Sequence, residues 1–266
     1  MILASGFTFA HILAGIAAVA YLSPALMKQL QVRQARLVVL VAWLAHALVL
    51  AIGLIGSTPR FGFASALSGT VWLVGAVYAI ESQFYPQLKL RRVMCVLAAV
   101  GVLLPLVFPG APLHPAASVW LPLHWVLGIG SYGLFAAAVV HAWLMGRAED
   151  RMRLAAESDS GVPLLTLERL TFRFVTAGFV LLTATLLVGL LFGEALYGPG
   201  MGWRFNHKNV FSVLSWFTFA ALLLGRARFG WRGRHAVRVL YAGTGLLFLA
   251  YVGSRFVMEV FLGRTS

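Results

Sequence analysis

Residues 36–56, RLVVLVAWLAHALVLAIGLIG, carry no charge after Arg36 and one imidazole, His46, near their middle. A run of about 20 apolar residues matches the ~30 Å hydrocarbon layer of a bilayer at ~1.5 Å of helical rise per residue. Only a helix closes all its backbone hydrogen bonds within such a segment, so the run is a membrane helix rather than a strand of an open sheet. Similar runs recur at about 6–27, 63–80, 93–108, 123–145, 171–193, 209–225 and 236–258. Together they predict an all-α, polytopic integral membrane helix bundle of about eight transmembrane helices, forming a single membrane domain over 1–266.

The composition agrees. Hydrophobic residues make up 61% of the 266 and charged residues 11%, with a mean hydropathy of +0.88, against about a quarter charged in soluble domains. The first apolar run, continuing to Met27 with no Lys or Arg before it, is too long for the core of a cleaved signal peptide and is expected to be the first membrane helix. A net charge of +13 in such a chain is a matter of orientation, not of nucleic-acid binding. Of 21 Lys and Arg, 16 follow the first, third, fifth and seventh runs, which puts those loops in the cytoplasm and both termini outside, in the periplasm. Arg60, Arg204, Lys208, Arg255 and Arg264 fall on the outer side. The expected location is the bacterial cytoplasmic (inner) membrane, multi-pass, with the lipid bilayer as the first partner. Pro163 with Leu164, Leu167 and Leu170 reads as a short helix on the inner surface, and the proline-rich stretch 109–115 as a stiff outer cap.

The chemistry is mostly imidazole. The lone Cys95 lies in an apolar run and no Cys-x-x-Cys or His-x-x-x-His cluster exists, which argues against thiol and zinc chemistry. No Asp or Glu falls at mid-membrane in the predicted spans, which argues against an ion-coupled transporter. The least membrane-like stretch is Gly200-Met201-Gly202-Trp203-Arg204-Phe205-Asn206-His207-Lys208, a costly set of groups beside lipid unless a ligand or water meets them. His207 and His124 are expected at one depth on the outer side. Two facing imidazoles could bind a six-coordinate haem, with Trp203 and Phe205 as apolar walls and Arg204 and Lys208 as propionate partners. Taken singly, each buried His is better read as a satisfied interhelical hydrogen bond. His46 could serve a second site within the membrane.

The second half resembles the cytochrome c assembly family of haem-handling membrane proteins, in its HemX-like or YpjD-type branch. The likeness is strongest over 123–258. It runs through Leu123-His124-Trp125 with Ser131-Tyr132-Gly133, then 163–173, Gly178–Thr183, Trp203–Trp216, Gly230–Arg234 and Ala250–Gly253. In that family an outer tryptophan-rich segment lies on haem while outer histidines ligate its iron. The resemblance implies that Trp203 is the first of the paired tryptophans, Lys208 the lysine after the motif, and His124 an outer iron ligand. Phe205 stands where a second Trp is expected and Asn206 where an Asp is expected. The last helix leaves through Ser254–Glu259 without the histidine that is the family's second outer ligand, and His207 could substitute for it. The expected function is a haem-binding or haem-handling factor of cytochrome c assembly or its regulation, acting on haem and on apocytochrome or another membrane protein, without turnover of its own. The alternative is a membrane subunit that supports or regulates an ion or metal transporter and has lost haem binding.

Overall fold

The computed structural model describes residues 2–27, 31–55, 59–85, 90–112, 120–153, 162–194 and 206–262, with 2–8, 151 and 153 described by backbone alone. Eight long helices follow the predicted runs among these residues. They are α1 (Ile2–Leu26), α2 (Val32–Ile55), α3 (Phe63–Phe84), α4 (Arg91–Val107), α5 (Trp120–Arg153), α6 (Leu164–Leu191), α7 (His207–Phe229) and α8 (Gly233–Phe248). The last continues through wider π-type turns at Leu249–Gly253 and Val257–Phe261, so that it spans Gly233–Phe261. Seven of the eight are long and apolar enough to cross a membrane, and α4, at 17 residues, is the short one. The short surface helix expected after Pro163 is instead the first part of α6. No further proline interrupts 164–191, so the helix that starts behind Pro163 runs on without a break.

The chain separates into two compact units, residues 1–114 with 255–266, and residues 115–254. In the first, α1 packs on α2 and α4 through Ala14, Ala17, Ala18, Ala42, Ala98 and Ala99, with Tyr21, Val49 and Val102 filling between them. Small residues point inward while Ile12, Val19, Leu40 and Leu48 are exposed. This is the reverse of a soluble protein and suits helices that associate by close backbone approach in lipid. Trp43 and Trp72 stack at 4.4 Å, and each indole N–H donates to the other's backbone carbonyl at 3.0 Å, joining α2 to α3.

The loops of the first unit meet in a two-residue antiparallel pairing, β1 (Arg60–Phe61) with β2 (Ala111–Pro112). Gly110 adopts φ +75°, and a Cβ there would lie 2.6 Å from the Phe61 carbonyl carbon and 2.7 Å from the Gly62 nitrogen. The Glu259 carboxylate crowds Gly62 and accepts a hydrogen bond from the Phe63 backbone N–H at the start of α3, an anion at the positive end of a helix. Gly230, at φ +66°, has open space around its missing Cβ. Gly110→Ala is therefore expected to cost about 3 kcal/mol, the left-handed conformation plus a backbone clash, and Gly230→Ala only about 1 kcal/mol. Thermal denaturation of the two variants in detergent checks this, and equal losses would contradict it.

The second unit is a four-helix arrangement in which α5 packs on α6 and α8, and α7 on α6 and α8. Its centre is one aromatic layer. Phe135 of α5 and Phe219 of α7 are fully buried and stacked at 3.8 Å, 6° from parallel. Gly178 of α6 lies against the Phe135 ring, and Gly243 of α8 against the Phe219 ring. The Ser215 hydroxyl donates to the Gly243 carbonyl at 2.8 Å, and the Tyr132 hydroxyl donates to the Leu247 carbonyl. At one end Glu168 of α6 takes Arg226 of α7 at 2.6 Å and Arg232 at 3.8 Å, while Arg234 of α8 meets Asp150 of α5 at 3.2 Å.

Candidate functional site

Four residues into α5, at the end opposite the Glu168 pairs, His124 lies against α6. The Trp120-to-His124 interval is one helical turn, which puts both on one face of α5. On α6 the spacing from Thr185 to Gly189 is likewise one turn. The His124 ring donates to the Thr185 backbone carbonyl. Its Nδ1 is buried and has no hydrogen-bond partner among the described residues. A missing side chain makes room for the ring, because a Cβ at Gly189 would lie 3.5 Å from His124 Cε1 and 3.9 Å from Nδ1. Just beyond, Trp120 and Phe192 stack at 3.7 Å and 8° from parallel, a flat apolar wall where the two helices end.

The start of α7 contributes the cation. Lys208 stands close enough to His124 for its charge to act on the ring, and its Nζ lies 5.7 Å over the Tyr251 ring of the last helix. Asn206 is the N-cap of α7, its Oδ1 accepting the Asn209 N–H at 2.9 Å. Asp would cap the same way, so exchanging one for the other preserves the helix start. His207 is exposed at the first position of α7. Trp203, Arg204 and Phe205 lie outside the described residues, as does His114.

The arrangement at His124 is chemically specific. An imidazole that donates one N–H to a fixed carbonyl holds one tautomer, leaving the other nitrogen as a lone-pair donor. A buried acceptor without a donor costs about 1–3 kcal/mol, and a ligand would remove that cost. With a stacked aromatic wall one turn away and an ammonium beside it, these residues fit a flat, apolar, anionic, iron-bearing molecule. The neutral imidazole, the aromatic faces and the cation each match one part of a haem.

Three other histidines are engaged elsewhere. His46 is fully buried between α1, α2 and α3, with Nε2 hydrogen-bonded to Ser68 Oγ at 2.8 Å and Nδ1 to the Tyr21 hydroxyl at 3.4 Å. His141 donates from Nδ1 to the Ala137 carbonyl one turn earlier, and His235 packs edge-on to Trp231. Among the described residues no group of three or more His, Cys, Asp or Glu could hold a bare metal ion. The site thus brings His124 and Lys208 together and adds Thr185, Gly189, Trp120 and Phe192, which sequence reasoning missed. Trp120 was the available signal, standing one turn before His124. Thr185 and Gly189 carried none, since both look like ordinary small residues in a lipid-facing run.

A family model described as cytochrome C assembly protein matches residues 31–262. The inner membrane protein YpjD of Escherichia coli K12 is 27% identical over 262 residues, covering 84% of this chain and 97% of that protein. A 28.8 kDa protein of Azospirillum brasilense is 34% identical over 162 residues, 60% of this chain and 57% of its own. The cytochrome c biogenesis protein CcsA of Gloeobacter violaceus is 30% identical over 94 residues, 35% of this chain and 27% of that protein. No solved structure matches this chain significantly.

Proposed function

Because the chain belongs to the cytochrome c assembly family, whose model covers residues 31–262, we propose that it binds haem at His124 and serves as an assembly-type or regulatory factor. It is a multi-pass protein of the bacterial inner membrane, and membership of the family carries a haem-handling membrane role. The observation that supports the particular site is the buried, unpartnered Nδ1 of His124 beside an open glycine on α6.

In this reading His124 would hold haem iron through its free nitrogen, and the bound group would supply a metal centre that accepts imidazole. The Thr185 carbonyl holds the ring in its tautomer and leaves the Nδ1 lone pair free beside Gly189. Trp120 and Phe192 would shield one edge of the bound group from water, and Trp203 and Phe205 are assigned to its apolar walls by sequence alone. Lys208 pairs with a propionate, and Arg204 is placed by sequence to take another. His207, exposed at the head of α7, is the residue that would serve as a second ligand in this reading. The Lys and Arg distribution supports a site at the outer face, where haem would be held for delivery to apocytochrome or sensed, not chemically converted.

Haemin titrated into the detergent-purified full chain is expected to give a Soret band that saturates at about one haem per chain, as one site implies. A folded protein that stays without a Soret shift at saturating haemin would overturn the proposal.

A further inference from the structure

The α6 helix is 28 residues long, about 42 Å at 1.5 Å per residue and therefore about 12 Å longer than a bilayer's hydrocarbon layer. Beyond Arg173 the helix carries no charge to Leu191, a rise of about 27 Å that nearly fills that layer. Arg173 then sits at the level of the lipid headgroups, and Arg169 one turn further out.

Both arginines are exposed. Neither has an ion-pair partner among the described residues, although the acid beside them is in use. Glu168 is taken by Arg226 and Arg232, and Asp150 by Arg234. Two like charges at i, i+4 on a helix repel, so the pair is destabilising as it stands. An anion between them would reverse the sign, and guanidinium is the side chain that grips a phosphate through two parallel hydrogen bonds. Val180 and Leu187 follow Arg173 at successive seven-residue intervals, exposed at 59% and 49%, so the same face of α6 continues as an apolar track for an acyl chain.

From this juxtaposition we propose that α6 seats an anionic phospholipid, its phosphate held between Arg169 and Arg173 and its tail along Val180 and Leu187. The inference is independent of the haem site, since it rests only on the membrane placement of α6. The seat accounts for an arginine pair on an exposed stripe of α6 whose charge no described residue compensates.

Native mass spectrometry of the full chain, released from detergent after titration with phosphatidylglycerol or phosphatidylcholine, tests it. Wild type is expected to retain phosphatidylglycerol selectively, and R169Q/R173Q to lose those adducts about tenfold or more at equal lipid. A control that removes two exposed arginines of α2, R33Q/R36Q, is expected to retain them. The proposal is overturned if R169Q/R173Q keeps its adducts, if the control loses as many, or if phosphatidylcholine binds equally well. Should the double variant fail to fold, R169Q and R173Q singly are each expected to weaken retention about threefold, and unchanged retention in both overturns the seat.

Discussion

Gly243→Val is expected to destabilise the second unit by about 3 kcal/mol or more, as overpacking of a filled core does at its upper end. The reason lies in the layer that Gly243 closes. A Cβ there would come within 2.9 Å of Phe219 Cε1 and 3.0 Å of Cζ, so the Phe219 ring must move. Its movement is restricted, because Phe135 is stacked on it at 3.8 Å and Gly178 in turn lies against Phe135, with room for a Cβ only at 3.2 Å. Helix propensity favours the larger residue by at most ~1 kcal/mol and cannot offset that clash. Thermal denaturation in detergent reads the loss, and adding Phe219→Leu to Gly243→Val is expected to recover part of it. A Gly243→Val protein as stable as wild type would mean that the four-helix layer is not as tight as described.

Gly189→Leu is expected to leave the fold intact and to weaken haem binding about a hundredfold, ~3 kcal/mol. A Cβ at this position meets His124 at ordinary van der Waals distance, 3.5 Å from Cε1 and 3.9 Å from Nδ1, so the first added carbon is tolerated. The rest of a leucine side chain has to occupy the space beside Nδ1, the atom that the proposed site needs open. The variant thus separates obstruction from ligand loss, since His124 and its Thr185 carbonyl remain. Melting temperature and haemin titration measured on the same sample check both halves. Unchanged affinity would show that haem does not approach His124 from the α6 side.

The helix bundle was legible because length and apolarity alone place a segment in a bilayer. The ends were less so. The α5 helix runs on to Arg153 through Arg147, Glu149 and Asp150, a solvated charged turn that hydropathy cannot mark as helical. The helix that starts behind Pro163 was legible, but its continuity with the run at 171–193 was not, because Glu168, Arg169 and Arg173 mark its first turns as a surface segment. Helix pairing was not legible at all. The Gly178, Phe135, Phe219, Gly243 layer joins four segments whose sequences give no sign of adjacency, and the reciprocal Trp43 and Trp72 bonds depend on register between two uniformly apolar helices. At the site, His124 and Lys208 could be selected as costly polar groups near a membrane surface. Thr185 acts through its backbone carbonyl and Gly189 through its absent side chain, and neither property is written in residue type.

The absorption spectrum of the purified full chain with haemin, oxidised and reduced, set beside that of His124→Ala, tests the central claim most directly. Wild type is expected to show a Soret band with the sharpened visible bands of an imidazole-ligated iron on reduction, and His124→Ala to lose or shift them while melting at nearly the same temperature. Identical spectra from the two folded proteins would contradict His124 as the ligand.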